Sequence, residues 1–149
     1  MKSQPRIDFY ILENRSPNGR FRLACRIVEK AYLKNNNIYL LANNAEDSGT
    51  LDDLLWTFSQ SSFVPHQLET SEKLVKCPVI IGTELLQQNG IDVLVSVADD
   101  PIKDFNTYPR IAEIVGIETS EKELSRNRFR YYRENGINPN TYHINLKAL

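Results

Sequence analysis

Short apolar runs rich in β-branched and aromatic residues alternate along this chain with segments of helical spacing, and that alternation leaves few folds open. Ile7–Leu12 (IDFYIL), Ile38–Ala42 (IYLLA), Val75–Gly82 (VKCPVIIG) and Ile91–Val97 (IDVLVSV) read as strands. Between the first two, apolar residues at Phe21, Ala24, Cys25, Val28, Ala31 and Tyr32 recur at helical spacing. Asn35–Asn37 then supplies the residue type that tolerates a left-handed helix stop. Leu51–Phe58 reads as a short helix with Asp52 and Asp53 in its first turn, where acidic groups suit the helix dipole. Ile111–Ile117 fits either a strand or part of a helix, since periodicity does not separate them over so short a run. Ser120 and Glu123 form an S-x-x-E capping box opening a last helix, which Gly136 stops.

Strand and helix alternating in this order make parallel βαβ units, whose right-handed crossovers place helices on both faces of one sheet. Near-continuous apolar strands fit a sheet covered on both sides. The expectation is an α/β, three-layer, Rossmann-like fold with a mostly parallel sheet, formed as a single domain over residues 1–149. With 41% hydrophobic and 25% charged residues, the chain has the composition of a globular domain rather than a disordered one. No apolar run reaches membrane-spanning length, and Met1–Arg6 is too short and polar for a signal peptide, so a cytoplasmic location is expected.

A doubly wound sheet raises the question of a nucleotide. A dinucleotide site needs G-x-G-x-x-G directly after the first strand, because only glycine lets the backbone approach the pyrophosphate. That loop here is ENRSPNGR, with one glycine, and no P-loop sequence occurs anywhere. No cofactor is expected. His66 and His143 lie outside any catalytic or metal-ligand spacing, and Cys25 and Cys77 read as buried free thiols. Asp99-Asp100, after the strand Ile91–Val97, stands where active sites gather in open α/β sheets, yet Asp-Asp-Pro is also a common turn. A nucleotide- or metal-dependent enzyme therefore remains an alternative.

Two segments carry more. On the last helix, at about 100° per residue, Arg126, Phe129, Arg130 and Arg133 share a stripe roughly 100° wide. Leu124 and Tyr131 project toward the core, and Arg128 falls outside the stripe. Three guanidiniums around one ring suit an acidic peptide with an apolar anchor, since the planar fork pairs carboxylates bidentately. A solvated charged face, or a site for single-stranded nucleic acid, fits the same residues. The near balance of 18 basic and 19 acidic residues argues mildly against a dedicated nucleic-acid binder. The second segment is Trp56–His66 (WTFSQSSFVPH), with three large aromatics and an apolar Phe63-Val64-Pro65 where loop residues are normally polar. It either folds back onto the core or presents an apolar patch to a partner.

With F-Y-x-L (Phe9, Tyr10, Leu12), L-W-x-F (Leu55, Trp56, Phe58) and S-F-V-P-H (Ser62–His66), the chain resembles the chi subunit family of bacterial DNA polymerase III. D-V-L-V-S (Asp92–Ser96) and R-x-R-F-R-x-Y-R-x-x-G-x-N-x-N-T (Arg126–Thr141) extend the likeness from Arg6 to about Tyr142, with a poor match over Leu68–Gly90. The resemblance implies a Rossmann-like fold without nucleotide binding and a non-catalytic subunit of the clamp-loader assembly at the replisome. It implies two partners: the psi subunit, and the acidic C-terminal tail of single-stranded DNA-binding protein. The tail site would match Arg126, Phe129, Arg130 and Arg133. Family members commonly have tyrosine and lysine where this chain has Phe129 and Arg130, which keeps both wall and charge. The psi surface would match Trp56, Phe63, Val64 and Pro65, and a repair helicase would compete for it in some members.

Overall fold

The computed structural model describes residues 4–58, 63–69, 77–85 and 90–146. Among these residues seven strands form one sheet in the order β3-β4-β2-β5-β6-β1-β7, and every pairing between them is parallel. They are β1 (Arg6–Leu12), β2 (Ile38–Leu41), β3 (His66–Leu68), β4 (Val79–Gly82), β5 (Val93–Ser96), β6 (Arg110–Val115) and β7 (Asn140–Ile144). Among the described residues three α-helices join them: α1 (Gly19–Leu33), α2 (Ala45–Thr57) and α3 (Thr119–Glu134). This is the expected α/β architecture.

Period-two alternation sorts the central strands' side chains into two cores. Ile38, Leu40, Val93, Val95, Ala112 and Ile114 point to the face covered by α1 and α2. Ile7, Phe9, Tyr39, Leu41, Leu94 and Ile111 point to the face covered by α3. Burial on both faces is why β2 and β5 are apolar at every position or nearly so. Ile111–Ile117, open between strand and helix in the sequence, is strand as far as Val115, part of β6, which pairs with β1 through Ile7↔Ile111.

The outer strands depart from the sequence reading. β3 and β7 lie at the two edges of the sheet, and neither has the apolar run that marks the inner strands. Asn140–Ile144 is mostly exposed, so its polar composition suits an edge. Residues 70–76 fall outside the described residues, and within the expected strand Val75–Gly82 the extended segment begins at Val79.

Helix starts also shift. α2 begins at Ala45, capped by the Asn44 side chain accepting from the Asp47 N–H at 2.8 Å, so its first-turn acids are Glu46 and Asp47. Asp52 and Asp53 sit mid-helix, and the dipole explanation given for them fails. The capping box also fails, because α3 starts at Thr119 after Glu118 and Ser120 lies inside the helix. Its stop is as expected: Gly136 adopts φ 85°, and Ile137 N–H reaches back to Tyr132 O at 3.0 Å.

The loop after β1 shows what its one glycine does. A Cβ on Gly19 would stand 2.6 Å from Leu12 Cδ2, so glycine is there to seat α1 against the strand. The crevice beside it is lined by Glu118 and Glu121, and Arg20 lies 3.6 Å from Glu121.

Candidate functional site

Two buried side chains fix the rotation of α3. Tyr132 is fully buried; its hydroxyl donates to Glu113 Oε2 at 2.6 Å and accepts from Ile102 N–H at 2.8 Å. Arg128, one turn earlier, places Nε 3.1 Å from Glu113 Oε1 and donates from Nη1 to Asp99 O at 3.2 Å. The Nε–H is not aimed at the carboxylate, and neither Arg128 Nε nor Glu113 Oε1 has a hydrogen-bond partner, so that contact is coulombic. Burial lifts the Glu113 carboxyl above its ordinary pKa, against the pull of the Arg128 charge and the Tyr132 hydroxyl. The Tyr132 hydroxyl is raised too, by burial first and by the Glu113 charge second.

With that face held against the sheet, Arg126, Phe129, Arg130 and Arg133 face outward. Together with Glu134 they line an open groove of about 580 Å³. The three arginines are exposed, and among the described residues none is ion-paired. Phe129 is half-buried, its ring edge-on to Phe9 with centroids 5.3 Å apart. The groove therefore has a fixed apolar wall and three free guanidiniums. All four residues singled out in the sequence come together here. Leu124 and Tyr131, expected to face the core, are only half-buried; the residues that do so are Arg128 and Tyr132. Sequence reasoning missed this anchor because Arg128 looks like one more surface arginine. The signal available was Arg128 and Tyr132 spaced i, i+4, with Glu113 inside the apolar run of β6.

The second segment divides. Trp56 at 58% and Phe63 at 53% exposure form an outward patch, with ring centroids 4.9 Å apart. Pro65 is half-buried. Val64 is fully buried in the core under α1 and α2, so it anchors the segment and offers a partner no surface. Residues 59–62 fall outside the described residues. His66 sits beneath the patch: Nδ1 lies 2.6 Å from Val64 O, and Nε2 lies 3.2 Å from Asp52 O and 3.3 Å from Asp52 Oδ1. Its ring centroid is 5.0 Å from that of Trp56. His66 thus ties α2 to the start of β3 and holds both exposed aromatics in place.

Other candidates are accounted for by local structure. The Asp99 N–H bonds the Asn43 side chain at 2.8 Å and its carbonyl accepts from Arg128, so this turn is built into the fold. Among the described residues, no group of three or more His, Cys, Asp or Glu is arranged to hold a metal ion. Cys25 is buried, and burial pushes its thiol up to about 12. Cys77, expected to be buried, is only half-buried. No helix among the described residues is long and apolar enough to cross a membrane.

Comparison with known proteins decides the family. The family described as DNA polymerase III chi subunit, HolC, matches residues 4–140. The chain belongs to the DNA polymerase III chi subunit family. It is 32% identical over 131 residues to DNA polymerase III subunit chi of Pseudomonas aeruginosa, covering 88% of this chain and 91% of that protein. With the Escherichia coli subunit chi it shares 28% identity over 139 residues, covering 89% and 94% of the two chains. Both the α3 groove and the Trp56–Phe63 patch fall inside the family match.

Proposed function

We propose that this chain is a non-catalytic accessory subunit of DNA polymerase III that joins two proteins of the replication machinery. The α3 groove takes the acidic C-terminal tail of single-stranded DNA-binding protein, and the Trp56–Phe63 patch takes the psi subunit of the clamp loader. The observation that carries this reading is the groove itself. Three unpaired arginines around a fixed phenylalanine wall are matched to a peptide that ends in carboxylates beside an apolar side chain. The groove lies on α3 and the patch at the end of α2, so the two surfaces share no residue. Work is done by tethering: a second contact on an assembled replicase acts at high effective concentration, so modest affinity suffices. A repair helicase using the same aromatic patch would then compete with psi.

Sequential capture tests the bridge. A surface carrying the tail peptide should retain the chain, and the retained chain should then capture psi. Arg130→Ala should abolish the first step only, and Phe63→Ala the second only. If occupation of one surface blocks the other, the chain is not a bridge.

A further inference from the structure

A third surface stands apart from both. Between the carboxyl-terminal half of α1 and the strands β1 and β7 lies a cleft of about 320 Å³. Five cations line it: Arg6, Arg26, Lys30, Lys34 and Arg110, with no acidic side chain among its described lining residues. Arg6 and Arg110 both lean on buried Asp8, each at 3.1 Å, so one carboxylate answers two guanidiniums. Arg26, Lys30 and Lys34 have no carboxylate partner among the described residues. A chain of net charge −1 has therefore gathered a strong local positive field on one face. That face is opposite α3, because Tyr10 and Ile144 pack with the α1 core and Phe129 with the other.

The cleft also contains an aromatic platform. Tyr10 and Tyr142 stack with centroids 5.3 Å apart and planes inclined by 22°. Their hydroxyls are held by the same guanidiniums, Arg110 Nη2 to Tyr10 at 3.1 Å and Arg6 Nη2 to Tyr142 at 2.9 Å. Tyr142 is 37% exposed on the edge strand. Opposite it, Arg26 and Lys30 on α1 and Lys34 at its C-cap recur every four residues, a rise of about 6 Å per step. That spacing is comparable to the separation of successive phosphates on an extended strand. A row of point charges facing a stacking surface is the arrangement by which proteins hold single strands without reading sequence.

We propose that the cleft between α1 and the β1–β7 edge is a weak, sequence-independent binding site for single-stranded nucleic acid. Phosphates lie along Arg26, Lys30 and Lys34, and a base stacks on Tyr142. Such a contact complements the proposed bridging role but does not depend on it.

The test is fluorescence anisotropy of a labelled oligothymidylate with the full chain. Saturable binding is expected at low salt, with log K falling against log salt at a slope of about −2 for three phosphates. Lys30→Glu with Lys34→Glu, both exposed positions, should weaken the oligonucleotide at least about tenfold. The same double variant should stay folded, losing only a few degrees of melting temperature for two acids at the end of α1, and should keep its affinity for the tail peptide. Tyr142→Ala should weaken the oligonucleotide about fivefold or more. Arg126→Ala with Arg130→Ala should leave the oligonucleotide affinity unchanged. The proposal is overturned by no saturable binding at low salt, by equal losses from the α3 variants, or by polyglutamate binding the cleft as tightly as the oligonucleotide.

Discussion

Arg128 Nε lies 3.1 Å from Glu113 Oε1 in the interior, with side chains 4% and 0% exposed. Three of the arginines on α3 face the groove; this one clamps the helix to β6. Removing one member of a buried pair leaves an uncompensated charge, so Arg128→Ala should lower stability by about 3–5 kcal/mol. Arg130→Ala, on the surface, should change it by under about 0.5 kcal/mol. Urea denaturation of the two variants measures this directly, and similar small losses would contradict the anchor.

The same pair gives the chain a pH signature. Because burial raises the folded pKa of Glu113 above its ordinary 4.5, the folded state holds this proton more tightly than the unfolded state does. Its contribution to stability is full below 4.5 and is lost as pH rises through the folded value. The stability difference between wild type and Glu113→Gln should therefore fall as pH is raised above 4.5. A difference that stays flat or grows would mean that the Arg128 charge outweighs desolvation.

The two thiols should separate cleanly. Cys25 is buried with its thiol pushed up to about 12, whereas Cys77 is partly accessible. At pH 8 a disulfide reagent should titrate one thiol rapidly and the second only on unfolding. Rapid reaction of both would show that the α1 core opens in the native state.

Neighbouring residues of the aromatic segment should behave oppositely. Phe63→Ala should cost about 2 kcal/mol or more of psi binding with little change in melting temperature. Val64→Ala should instead lower stability, by roughly 2 kcal/mol for the lost burial. If Phe63→Ala unfolds the chain, the patch is core and the interface reading fails.

What the sequence revealed depended on burial. β2 and β5 are apolar because both faces are covered, so their strands were legible. β7 was not, since NTYHI is the composition of an exposed edge. The first turns of α2 escaped notice because Ala45–Thr50 has no apolar side chain larger than alanine to set a period. The α3 stripe was legible because helical geometry alone places Arg126, Phe129, Arg130 and Arg133 together. Its support was not, because a pair between Arg128 and Glu113 joins residues on different elements. Val64 misled for a related reason: an apolar loop residue looks the same whether it faces a partner or the core.

The most direct test of the account is calorimetric titration with a peptide copying the C-terminal tail of the host's single-stranded DNA-binding protein. Arg126→Ala and Arg130→Ala should each weaken it by roughly 1.5–3 kcal/mol, the worth of a charge-assisted hydrogen bond. Phe129→Ala should weaken it as well, although no charge changes, because the wall for the terminal apolar side chain is gone. Arg15→Ala, an exposed arginine paired with Glu118 away from the groove, removes the same charge and should leave the affinity unchanged. Equal losses at Arg15 and Arg130, with Phe129→Ala neutral, would show a diffuse electrostatic surface and contradict a tail-binding groove on α3.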